Sequence, residues 1–175
     1  DLQGRPLQTF KGHGDYINSV AFAPDGKHVL SGSSDKSARL WDISGHEIQT
    51  FTGHSNFVNA VRFSPDGKHV LVGSSDKLPK LWNLQTNTIQ IIKGHSGGIN
   101  TVDFSPDGKY VLTGSADSTV RLWDLQGRRI ETFPTQRAYS RIRFSIFCPD
   151  GKHILMDNEE NGARLTDLQG QKMQT

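Results

Sequence analysis

The chain is poor in the features that most quickly assign a function. It has one cysteine, Cys148, so no internal disulfide framework can form, and the compartment is not indicated by its thiols. It has no run of about 18 apolar residues, the length a membrane-spanning helix needs, so no membrane partner is expected. It has no excess of one charge. Twenty basic side chains stand against eighteen acidic ones, without long runs of either sign, which gives little support to a nucleic-acid or polyanion surface. No Gly-x-x-x-x-Gly-Lys loop is present to cradle a phosphate. The seven histidines are spread along the chain without close ligand pairs, so no metal and no cofactor is expected. Helical periodicity is missing throughout. The chain opens at Asp1 with neither a methionine nor a signal-like segment, which reads as processed or cut from something longer.

What is present is repetition. Gly12-His13 recurs as Gly53-His54 and Gly94-His95, a period of 41 residues. Pro24-Asp25-Gly26 recurs as Pro65-Asp66-Gly67 and Pro106-Asp107-Gly108, and Trp41-Asp42 as Trp82-Asn83 and Trp123-Asp124. Three landmarks in one order at one period imply stacked or radial units, none able to bury a core alone.

Within one period, Ile17, Val20 and Phe22 lie in a β-favouring run that ends at Pro24-Asp25-Gly26-Lys27. Proline pre-sets φ for the turn and glycine takes the left-handed position after it, which predicts a hairpin. His28-Val29-Leu30 begins the return strand, Ala38 to Trp41 a third, and Ile48 to Phe51 a fourth. The prediction is four short antiparallel strands per unit, in an all-β chain.

Gly-His, Pro-Asp-Gly, Gly-Ser-x-Asp and Leu-Trp-Asp held in phase resemble the WD-repeat β-propellers over essentially the whole chain. The near-identical repeats, with Asp-Leu-Gln-Gly at Asp1, Asp124 and Asp167, are similar to the highly repetitive bacterial members. The resemblance implies β-propeller blades, four four-stranded antiparallel sheets in one array. An N-terminal outer strand is expected over 5–10, blade 1 over about 11–51, blade 2 over about 52–92, blade 3 over about 93–133 and a degenerate blade 4 over about 134–175.

The same resemblance implies a hydrogen-bonded tetrad inside each blade: His13, Ser31, Asp35 and Trp41 in the first, and His95, Thr113, Asp117 and Trp123 in the third. His54, Asp76 and Trp82 belong to the second, where Val72 replaces the hydroxyl. A serine, a histidine and an aspartate together invite a hydrolase reading. A copy in each blade argues for a structural staple instead, and no enzyme is expected. Pro79 falls in the expected third strand of blade 2 and removes a ladder donor. In the fourth unit, Thr135-Gln136 stands for Gly-His, and Met156, Glu160 and Thr166 replace the hydroxyl, the aspartate and the tryptophan. Two extra residues precede Pro149-Asp150-Gly151 and leave the alignment between Gln136 and Phe147 open. Drift in a blade held by its neighbours and a specialised junction both fit.

Propellers of this family close with seven or eight blades, and four wedges span about half a turn. The expectation is half of an eight-bladed ring, closed by a head-to-tail homodimer in which the N-terminal strand (Pro6 to Phe10) pairs with the partner's last blade. The excess strand at Met173 to Thr175 favours the rival, a fragment of one longer propeller. The family's docking face maps by motif onto Tyr16, Asn18 and Ser34, then Phe57, Asn59 and Ser75, then Gly98, Asn100 and Ala116, with Glu159 in the fourth blade. The partner-binding candidates are therefore Tyr16, Asn18, Ser34, Phe57, Asn59, Ser75, Asn100 and Glu159, presented to protein or peptide by a cytoplasmic, non-enzymatic scaffold. Two alternatives stay open: a structural or designed self-assembling fragment without a partner of its own, and a small-molecule or sugar-binding propeller.

Overall fold

The architecture follows from a turn repeated four times. In a computed structural model, which describes residues 3, 5–135, 141–157 and 162–171, each Pro-Asp-Gly sequence closes a tight hairpin. Gly26, Gly67, Gly108 and Gly151 sit at φ of 65, 69, 71 and 67°, where a side chain would be strained. The aspartate locks each turn from within: Asp25, Asp66, Asp107 and Asp150 each accept the amide N–H two residues on.

Each hairpin seeds one antiparallel sheet. The first holds β1 (Ile17–Phe22), β2 (His28–Ser33), β3 (Ala38–Asp42) and β4 (Glu47–Phe51), paired in chain order. The second holds β5 (Val58–Phe63), β6 (His69–Ser74), β7 (Lys80–Asn83) and β8 (Thr88–Ile91), and the third β9 (Ile99–Phe104), β10 (Tyr110–Ser115), β11 (Thr119–Asp124) and β12 (Arg129–Pro134). The fourth holds three strands among the described residues: β13 (Ser145–Phe147), β14 (His153–Asp157) and β15 (Ala163–Asp167). Its expected outer strand at Met173 to Thr175 lies outside the described residues. β7 starts at Lys80, one residue later than its counterpart β3: Pro79 still accepts the Ile92 amide but has no N–H to donate, and the pairs that Ala38 and Val120 make in the first and third sheets are missing here.

The cores lie between sheets, not within them. Leu30, Ala38 and Leu40 of the first sheet pack with Val58 and Val61 of the second. Leu71 and Leu81 pack with Ile99 and Val102, and Leu112 and Leu122 with Ile142 and Phe147. Three junctions join four sheets, as the period required.

Structure also settles the open alignment. Ile142 donates its amide to Ser115 O and accepts Asn100 Nδ2 at 2.7 Å on its own carbonyl, as Ile99 accepts Asn59 and Val58 accepts Asn18. Ile142 is therefore the counterpart of Ile99, Val58 and Ile17. Arg143 is the counterpart of the three asparagines.

The N-terminal segment differs from expectation. Residues 5–10 form no strand. A strand exists only against a second edge, and among the described residues no strand pairs with this segment. It nevertheless follows the course of an outer strand. Phe10 meets Trp41 edge-on at a centroid distance of 5.9 Å, as Phe51 meets Trp82 at 5.4 Å. Gln8 donates to Ser44 O at the first Ser-Gly turn, and its counterpart Gln90 lies against Gly127 at the third.

Candidate functional site

The tetrads of the first and third blades come together as the family resemblance implied. In the first blade, His13 Nδ1 lies 2.8 Å from Asp35 Oδ2 and Nε2 lies 2.7 Å from Ser31 Oγ, which also accepts the Trp41 indole N–H at 2.8 Å. The third repeats this with His95, Asp117, Thr113 and Trp123 at 2.8, 2.7 and 2.8 Å. With the indole donating, the hydroxyl donates to Nε2, and the imidazole donates Nδ1–H to the carboxylate. Every group is satisfied and no hydroxyl is left as a free nucleophile.

Electrostatics follow burial. Desolvation pushes the His95 and His54 pKa values below the ordinary 6.5, opposed by hydrogen bonds to Asp117 and Asp76. Desolvation alone would raise Asp117, but bonds from His95, Thr119 and the Ser96 amide hold it well below the ordinary carboxylate range. Asp35 behaves alike: burial opposes ionisation, and bonds from Ser37, the Gly14 amide and His13 outweigh it. In the second blade, His54 keeps its 2.8 Å bond to Asp76, while its buried Nε2 has no partner. Val72 stands where the hydroxyl would be. In the fourth, Met156 and Thr166 build no counterpart, Thr166 Oγ1 donating to Gln171 O instead, and Glu160 lies outside the described residues.

One stretch, Gly94-His95-Ser96-Gly97-Gly98, spells the letters of a nucleophile elbow. The elbow needs a strand-to-helix turn, and a strand, β9, follows Gly98. Both nitrogens of His95 are engaged by Asp117 and Thr113, leaving neither for Ser96.

The expected docking face divides into two kinds of residue. Tyr16 and Phe57 project at the rim and are exposed. The asparagines are engaged. Asn18 Nδ2 donates to Ser34 Oγ and to the Val58 carbonyl of the next blade, each at 2.9 Å. Asn59 Nδ2 does the same to Ser75 Oγ and the Ile99 carbonyl, at 2.9 and 2.8 Å. Asn100, facing Ala116, keeps only the inter-blade bond to Ile142. These amides fasten blade to blade, and Ser34 and Ser75 orient them. Gly98 ends the aromatic rim, because a Cβ there would lie 3.0 Å from the Ser75 backbone. Glu159 lies outside the described residues.

An open array of four blades exposes two end faces, as the half-ring expectation implied, and the structure supplies the residues on them. On β1, Ile17, Val20 and Phe22 are 50, 62 and 71% exposed, whereas Val58, Val61, Ile99 and Val102, the counterparts of Ile17 and Val20, are at most 1% exposed, and Phe63 and Phe104, the counterparts of Phe22, are partly and fully buried. At the other end, Ile146 and Leu165 are exposed, while Leu122, the counterpart of Leu165, is buried. The period held this signal: the residues that fill each internal junction also occur where no neighbour lies. Contiguous apolar surface of this kind marks association. Among the described residues no group of three or more metal-ligating side chains forms, and no helix is long and apolar enough to cross a membrane.

Comparison with known proteins agrees with the geometry. The family model described as the IFT122 first β-propeller matches residues 2–175. The nuclear distribution protein nudF 2 of Penicillium rubens is 46% identical over 44 residues, 25% of this chain and 10% of that protein. The transcriptional repressor rco-1 of Neurospora crassa is 51% identical over 39 residues, 22% of this chain and 6% of that protein. The small ribosomal subunit protein RACK1 of Caenorhabditis elegans is 44% identical over 41 residues, 23% and 13% of the two chains. Each alignment spans about one repeat, so the chain matches only about a tenth of the length of these relatives.

Proposed function

The chain belongs to the family of the IFT122 first β-propeller, and from that premise we propose that it is a non-enzymatic WD-repeat interaction module that joins a second copy of itself head to tail. Two half-rings of four blades make one ring of eight. The closed disc then presents Tyr16 and Phe57 to a protein or peptide.

One observation carries the reading. Val58, Val61, Ile99 and Val102, the counterparts of Ile17 and Val20 at the first two internal junctions, are buried, and on β1 Ile17, Val20 and the neighbouring Phe22 are open to water. The cover that suits them is a blade face offering leucines, and the far end of the chain offers Ile146 and Leu165 on either side of Leu155. The course of residues 5–10 supports the same arrangement: Phe10 and Gln8 sit on the first blade as an outer strand would, ready for a third strand such as β15 of a second copy. Closure is required of this geometry, since a head-to-tail contact that does not close grows into filaments.

The module is read as a scaffold in the cytoplasm, similar to the highly repetitive bacterial propellers. No name among the three relatives above denotes a reaction, and the tetrads are staples. Aromatics at a rim suit a peptide hot spot. The test is a charge in the open face. Val20→Glu should abolish self-association with little change in melting temperature. Association that survives this change would contradict the reading.

A further inference from the structure

The last face of the array is built differently from the other three. At each internal junction the next blade presses a β-branched side chain onto a glycine. A Cβ added to Gly32 would lie 2.6 Å from Val58 Cγ1, one on Gly73 2.7 Å from Ile99 Cγ2, and one on Gly114 2.6 Å from Ile142 Cγ2. Carbon atoms in ordinary contact stand about 3.5–4.0 Å apart. Each of these seats therefore accepts its neighbour only because it carries no side chain.

Strand register identifies the fourth seat. Thr113 pairs with Val102 and Arg121, and Gly114 with Val120. Met156 pairs with Ser145 and Arg164, and Asp157 with Ala163. Asp157 is thus the counterpart of Gly32, Gly73 and Gly114. Its carboxylate is bonded within its own blade, accepting the Arg143 amide at 2.9 Å, the Phe144 amide at 3.3 Å and Arg143 Nε at 3.3 Å. Arg143 in turn stands where Asn18, Asn59 and Asn100 clamp the following blade. Both parts of the junction, the glycine seat and the asparagine clamp, are replaced together, by two residues that bond each other.

We infer that Asp157, held by Arg143, occupies the seat on the last blade and sets the self-association of this chain to be weak and reversible, where the internal junctions are tight. The inference rests on the head-to-tail reading. An incoming Ile17 meets a side chain where its counterparts Val58, Ile99 and Ile142 meet none. The apolar surfaces still match, but the closest approach is blocked until Asp157 yields.

The test compares the full chain with Asp157→Gly and Asp157→Ala by sedimentation equilibrium. Both variants lose the carboxylate and its bonds, so any difference between them reports the seat. Asp157→Gly should tighten dimerisation at least about tenfold over the native chain, the size expected for relief of overpacking at a blade contact. Asp157→Ala should fall between the two, since its Cβ still enters the seat. Arg143→Asn added to Asp157→Gly, which restores both halves of the internal junction, should tighten it further. If the native chain dimerises and Asp157→Gly dimerises no more tightly than Asp157→Ala or the native chain, this inference is overturned and the head-to-tail reading stands. If no variant associates, both fall.

Discussion

His54 faces Val72 without a hydrogen bond between them, in the place where His13 meets Ser31 and His95 meets Thr113. A buried imidazole nitrogen is left unsatisfied in the middle of the array, and the cost of such a group is about 1–3 kcal/mol. Val72→Thr keeps the shape and restores the hydroxyl. Threonine for buried valine is ordinarily unfavourable, but both His54 Nε2 and the Trp82 indole stand ready as its partners. Urea unfolding should show a gain of about 1 kcal/mol. A loss would mean that the hydroxyl does not reach the histidine.

The buried histidines give stability a pH dependence of known sign. Burial lowers the folded pKa of His54 and His95 below the ordinary 6.5, so at mildly acidic pH the unfolded chain takes up protons that the folded chain does not. Their contribution is fully present above pH 6.5 and is lost as pH falls through the depressed folded values. The carboxylates act in the same direction at lower pH. Despite opposing desolvation, the hydrogen bonds at Asp35 and Asp117 hold the folded values far below 3.8, so their contribution is lost below that value. Melting temperature should therefore fall from pH 7 to pH 5, and again below pH 4. A flat profile across the histidine range would contradict the burial of these rings in their neutral form.

Much of this fold was legible in the sequence because a repeat is its own control. The resemblance to the WD-repeat family assigned His13, Asp35 and Trp41 to one network, and the Pro-Asp-Gly turns followed from the positive φ that glycine adopts without strain. What was not legible needed neighbours. Asn18 and Asn59 recur at a motif position that reads as a partner-facing ring, yet the next blade's carbonyl uses their amides. Residues 5–10 have the composition of an outer strand, and among the described residues no strand pairs with them. In the fourth blade the two-residue shift left Arg143 without a counterpart until the Asn100 bond to Ile142 and the register of β13 and β14 supplied it.

The asparagine clamp gives a separate outcome. Asn59→Ala removes a bond between adjacent blades and leaves the buried Ile99 carbonyl without its side-chain donor. The expected cost is about 1–2 kcal/mol in global stability. Tyr16→Ala with Phe57→Ala should cost less than about 0.5 kcal/mol, as exposed side chains do. The same double change should weaken peptides selected on the native protein by at least about tenfold. If the aromatic pair destabilises the fold and leaves selected peptides bound, the rim is packing and not a docking site.

The central claim is that the two open blade faces of this chain meet each other and close. Light scattering across a concentration series tests it most directly. The account expects the mass to rise from that of one 19.4 kDa chain to twice that value and to stop there. A mass that stays at one chain at every concentration, or that climbs past two without a plateau, would contradict it.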